Sequence, residues 1–154
     1  MTDRCRGNDG YASAVALAMP EVLALLCQHQ APSTAGRSGS AWIRISVDDG
    51  RKFLPRRQVP GEGGPAVGAI VHYQPAAASS DVMLIAETGT TGSKLLFTGD
   101  GSRTWLCRLV LRGSEPVVLV GYEDTRFGRV AQGNTVWTTH SGGENWTPDH
   151  FLAG

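Results

Sequence analysis

Thr98-Gly99-Asp100-Gly101-Ser102-Arg103-Thr104-Trp105 reads as a tight turn between two strands. Apolar residues run up to it from Leu95 to Phe97 and resume at Trp105. Each residue type has a physical reason to be there. The aspartate can accept hydrogen bonds from backbone amides inside the turn, and the threonine hydroxyl can bond locally. Glycine supplies a positive φ. The tryptophan opens the next strand and carries a large apolar surface into a core. The pattern recurs as Ser46-Val47-Asp48-Asp49-Gly50-Arg51-Lys52-Phe53 and as Thr139-His140-Ser141-Gly142-Gly143-Glu144-Asn145-Trp146. The three copies start 52 and 41 residues apart, close to the period of about 40–50 seen in blade-type repeats.

Working outward from each turn gives the same set of short, β-rich runs. Three precede the first turn, at 14–19, 22–28 and 42–47. Three precede the second, at 69–73, 82–87 and 94–98, and three precede the third, at 116–122, 127–132 and 135–139. A fourth follows each turn, at 52–59, 104–111 and 145–152. Four strands per repeat is the composition of a propeller blade. The predicted fold is therefore all-β: three four-stranded antiparallel β-propeller-like blades in one domain, 1–154, with blades at roughly 11–59, 66–111 and 115–152. The competing reading makes 11–28 a helix, on its alanine and leucine content, with Pro20 against it.

The three turns resemble the Asp-box, or BNR repeat: Ser or Thr, any residue, Asp, any, Gly, any, Thr or Ser, then an aromatic. The matching residues are Ser46, Asp48, Gly50 and Phe53; Thr98, Asp100 and Trp105; Thr139, Gly143 and Trp146. Each copy departs somewhere. Lys52 stands for Thr or Ser, Ser102 stands in the glycine position, and Ser141 and Asn145 replace Asp and Thr. The resemblance implies a structural role for these residues and a binding face at the opposite end of the blades. It transfers no functional residue. The best-known family with such boxes, the sialidases, uses several arginines, a tyrosine nucleophile paired with a glutamate, and an acidic aspartate. This chain has twelve arginines and Tyr11, Tyr73 and Tyr122, but no local pattern joins them.

Fourteen basic residues balance fourteen acidic ones, which leaves no whole-chain field to favour nucleic acid or an anionic membrane. No apolar run approaches the roughly 20 residues a bilayer requires. Cys5, Cys27 and Cys107 form no CxxC pair. With Cys27 and Cys107 inside apolar runs, they read as buried thiols and suggest a cytoplasmic protein. The histidines His29, His72, His140 and His150 have no metal-ligand spacing.

Closed propellers have about four to eight blades, so three make a partial propeller, or half of a six-bladed ring completed by a homodimer. Sealing by its own loops or by a partner protein is the alternative. The loops opposite the boxes carry His29, Gln30, Arg37, Glu62, Arg112 and Glu115 as candidate ligand-binding residues. No catalytic set, metal site or cofactor motif is expected. The leading functional expectation is a non-enzymatic recognition module for another protein, in the manner of an inhibitor or immunity protein. A lectin-like glycan-binding module and a sialidase-like glycoside hydrolase completed by dimerisation are the alternatives.

Overall fold

The computed structural model describes residues 10–19, 21–29, 41–60, 70–113 and 115–151. Among them every regular element is a strand. Sheet 1 comprises β1 (Gly10–Met19), β2 (Val22–His29), β3 (Ala41–Ser46) and β4 (Arg57–Val59). Sheet 2 comprises β5 (Ile70–Ala77), β6 (Met83–Gly89), β7 (Gly92–Thr98) and β8 (Leu106–Arg112). Sheet 3 comprises β9 (Val117–Tyr122), β10 (Gly128–Gln132), β11 (Thr135–Thr139) and β12 (Thr147–His150). Each sheet is an antiparallel meander in sequence order. The first strands of successive sheets are neighbours, β1 beside β5 and β5 beside β9. No helix among the described residues is long and apolar enough to cross a membrane.

The helix alternative over 11–28 is not what forms. Residues 10–29 make the β1–β2 hairpin, with Leu17 opposite Leu23 and Val15 opposite Leu25. Ala24, Leu25, Leu26 and Cys27 are all buried. A strand covered on both faces is continuously apolar and loses the alternation that would distinguish it from a buried helix. β4 is shorter than the expected 52–59. Phe53 to Arg56 lie outside the strand, although Leu54 N–H still donates to the Ile45 carbonyl at 2.8 Å. β5 runs past Pro75, which is tolerated because β5 is an edge strand with one side free of ladder bonds.

The cysteine expectation also changes. Cys107 is exposed and free, on β8, an edge strand of sheet 2. Cys27 is buried as expected, but it is disulfide-bonded. The two buried thiols that suggested a reducing compartment are therefore not present.

The three turns after β3, β7 and β11 share one hydrogen-bond scheme. The buried hydroxyl at the first position accepts the amide four residues on: Gly50 N–H to Ser46 Oγ at 2.8 Å, Ser102 N–H to Thr98 Oγ1 at 3.0 Å, and Gly143 N–H to Thr139 Oγ1 at 3.0 Å. The side chain at the third position accepts the amide four residues further along: Lys52 N–H to Asp48 Oδ1 at 2.8 Å, Thr104 N–H to Asp100 Oδ1 at 2.9 Å, and Asn145 N–H to Ser141 Oγ at 2.9 Å. Serine at 141 thus takes the aspartate's part. The fourth and fifth positions always have positive φ: Asp49 56° and Gly50 75°, Gly101 68° and Ser102 64°, Gly142 72° and Gly143 112°. Ser102 accepts this despite its Cβ, a conformation uncommon outside glycine. The amide of each fourth residue donates to the turn between the first two strands of its own sheet: to the Glu21, Asp81 and Arg126 carbonyls at 3.1, 3.1 and 2.8 Å.

Counted back from these turns, the β2–β3, β6–β7 and β10–β11 registers are the same. Each sheet therefore has equivalent faces, one towards the following sheet (forward) and one towards the preceding sheet (rear). Ala24, Leu26, Ile43 and Ile45 on the forward face of sheet 1 pack against Tyr73, Met83, Ile85 and Leu96 on the rear face of sheet 2, with Trp105 beside them. Ala86, Leu95 and Leu111 on the forward face of sheet 2 pack with Val117 and Val130, and with Val120, Trp137 and Trp146. Burying each large aliphatic side chain of this kind stabilises by about 1.5–3 kcal/mol. Phe53 packs with Leu25, Cys27 and Trp42 on the rear face of sheet 1. Each turn aromatic is thus aimed at the preceding side.

Two substitutions test this account. Thr98→Ala leaves the buried Ser102 N–H without its acceptor and is expected to destabilise the chain by about 1–3 kcal/mol in urea unfolding. Gly143→Ala places a methyl 2.8 Å from Phe97 Cδ2 and 3.0 Å from Tyr122 Oη, at a φ of 112°. Overpacking and backbone strain together are expected to cost about 2–5 kcal/mol, measured in the same way.

Candidate functional site

The repeat turns are saturated with internal bonds. Asp48 has its carboxyl held below the ordinary range, first by the Lys52 amide and then by the Ser46 hydroxyl. Asp100 is lowered to about 2, first by the Thr104 hydroxyl, which donates to Oδ2 at 2.6 Å, and then by the Thr104 amide. These residues are half-buried, and their carboxylate acceptor positions are taken up in the turn. They are better suited to fixing the backbone than to accepting a proton in a reaction.

The opposite end of the sheets is where polar side chains meet buried surface. Tyr73, Glu87 and Lys94 are cross-strand neighbours on the rear face of sheet 2. Glu87 is fully buried, with Lys94 Nζ 2.9 Å from Oε2, and Oε1 has no hydrogen-bond partner among the described residues. Burial raises the Glu87 carboxyl above its usual range, against the opposing pull of Lys94. Burial, and then the Glu87 charge, raises the Tyr73 phenol.

The position of Glu87, counted back from the turn, is held by Cys27 in sheet 1 and Gln132 in sheet 3. Cys27 is in a disulfide, Glu87 in an ion pair, and Gln132 Nε2 donates to the Glu115 carbonyl at 2.6 Å. Three different bonds secure the same point of three similar sheets.

A second polar group lies on the rear face of sheet 1. Trp42 pairs with Gln58 across β3 and β4. The Arg56 guanidinium stacks over the indole at 5.5 Å, within the range of an attractive cation–π contact. With Ala41, these side chains line a cavity of about 380 Å³. Arg56 and Gln58 are exposed, and Arg56 has no ion-pair partner among the described residues.

The residues singled out in the sequence do not converge. Gln30, Arg37 and Glu62 lie outside the described residues, as does the side chain of His29, whose backbone ends β2. Arg112 ends β8 and is exposed, and Glu115 is exposed in the connection to β9. The Glu115 carboxylate lies over Gly133, where a Cβ would collide with it. No ion pair joins Arg112 to Glu115. His140 is exposed and meets the Phe127 ring edge-on at 4.5 Å. Among the described residues, no three His, Cys, Asp or Glu side chains are grouped to hold a metal.

Two features were missed. Glu87 and Lys94 could have been found by folding 83–98 about its central Gly-Thr-Thr-Gly and reading across, which puts the opposite charges face to face. Arg56 carried no such signal, because its contact with Trp42 depends on the irregular path between Phe53 and β4. No protein-family model matches this chain, and no curated protein matches it either.

Glu87 has a pH signature. Its folded-state carboxyl is raised, so its contribution is present at low pH and lost as pH rises through the folded value. The difference in Tm between Glu87→Gln and wild type should therefore grow in favour of the variant as pH rises from about 4, the unfolded value. A difference that stays constant across thermal scans at several pH values would rule this out.

Proposed function

We propose that the chain is a non-catalytic recognition module built from three Asp-box propeller blades, and that it binds another protein at the end of the sheets opposite the boxes. The shared bonding of the three turns and the four-strand meanders support the blade reading. The observation that carries the binding reading is the Arg56 guanidinium, stacked on Trp42 beside the cavity and without an ion-pair partner among the described residues. Tryptophan and arginine are the residue types that most often anchor interfaces. A stacked guanidinium keeps its planar fork of donors available for a carboxylate. The partner's contribution is then an acidic side chain, with Gln58 able to bond its neighbouring polar groups.

A glycan is the second reading, favoured by the cavity's size, which lies at the lower end of small-molecule sites at about 300–1,000 Å³. Hydrolysis has less support, because Tyr73 and Glu87 are enclosed between sheets 1 and 2 rather than facing this cavity.

The test is binding of acidic peptides and of their Asn/Gln counterparts, beside a glycan array, by wild type and Arg56→Gln. Preference for the acidic peptides, weakened tenfold or more in the variant, is the expected result; tenfold is about 1.4 kcal/mol. Retention that ignores Arg56→Gln would sink the proposal. Capture of glycans alone would move the reading to a lectin.

A further inference from the structure

The forward faces of sheets 1 and 2 are apolar and covered. In sheet 1 the paired positions are Ala24 with Ile45 and Leu26 with Ile43. In sheet 2 they are Leu84 with Phe97 and Ala86 with Leu95. Every one of these is buried. In sheet 3 the equivalent pairs are Arg129 with Thr138 and Ala131 with Val136. None of these four is buried.

The change goes beyond lost contact. Arg129, where sheets 1 and 2 have Ala24 and Leu84, lies beside Glu123 with Nη1 2.6 Å from Oε1. Its guanidinium is also 5.1 Å from the centre of the Phe127 ring. Across the same face, Thr147 pairs with Thr138 and Asp149 with Val136, and both are exposed. Gly121, paired with Arg129, has open space where a side chain would stand. Leu119, 52% exposed, is the one large apolar side chain standing out from these rows.

We infer that sheet 3 is a terminal sheet, whose forward face is built to meet water. No four-stranded sheet of a second copy of this chain stacks on it. Stacking would take Arg129, Glu123 and Asp149 out of water, at a cost of several kcal/mol per ion before any compensation. It would gain only the modest apolar area of Leu119, Ala131 and Val136. Arrays of stacked repeats end in this way, with a polar outer face on the last unit. The other end of the stack does not offer a matching surface, since Leu25, Cys27 and Trp42 on the rear face of sheet 1 are already buried. Ring closure by two copies, the arrangement that three blades first suggest, is therefore not the assembly this chain encodes.

The test is solution mass by light scattering on the full chain, with folding checked by circular dichroism. Wild type should run at the single-chain mass of 16.3 kDa. The double variant Arg129→Leu/Thr138→Ile restores the apolar pattern of sheets 1 and 2, and its mass should rise towards twofold as concentration increases. Two outcomes would overturn the inference. One is a wild-type dimer that Val136→Arg returns to a single chain. The other is a folded double variant that remains a single chain at every concentration.

Discussion

One hydroxyl in each sheet decides the rest. Ser46, Thr98 and Thr139 are buried at the ends of β3, β7 and β11, and each accepts the amide four residues on. That bond holds two successive residues at positive φ, which reverses the chain into the fourth strand. It also turns the intervening amide outward, to the carbonyl between the first two strands. A turn and a clasp across the sheet thus come from one side-chain oxygen. The identical inter-strand registers follow from it, because every strand pair is counted from the same fixed point.

Equal registers make equal faces, and equal faces allow stacking. Sheet 1 covers the rear of sheet 2, and sheet 2 covers the rear of sheet 3. Gly143 lies at the second of these contacts, close to Phe97 and Leu84 of sheet 2. The turn of sheet 3 is therefore part of the packing between sheets as well as a reversal of the chain.

Much of this was legible in the sequence. The three turns fixed the repeat, and the strand order followed from runs of alternating or continuous apolar residues. Positions 102 and 141 looked like failures of the pattern, yet both keep its geometry. Ser102 tolerates positive φ, and the Ser141 hydroxyl replaces a carboxylate oxygen. The exposure of Cys107 was illegible because Leu106–Arg112 is as apolar as an inner strand, and only the sheet order puts it at an edge. The cavity beside Trp42 was illegible because it depends on a segment without regular structure. Candidates chosen as polar loop residues missed it, since Arg56 and Gln58 lie in and beside β4.

The three unlike bonds at Cys27, Glu87 and Gln132 give the stack a graded response to its surroundings. A reductant acts on the first sheet through its disulfide. A rise in pH acts on the second through a buried carboxylate. The amide of Gln132 answers to neither. Amide hydrogen exchange need not then accelerate uniformly along the chain, since local opening follows the weakest restraint in each cooperative unit. Sheets 1 and 2 of this one pattern can loosen separately, each under its own chemical condition, while sheet 3 stays closed.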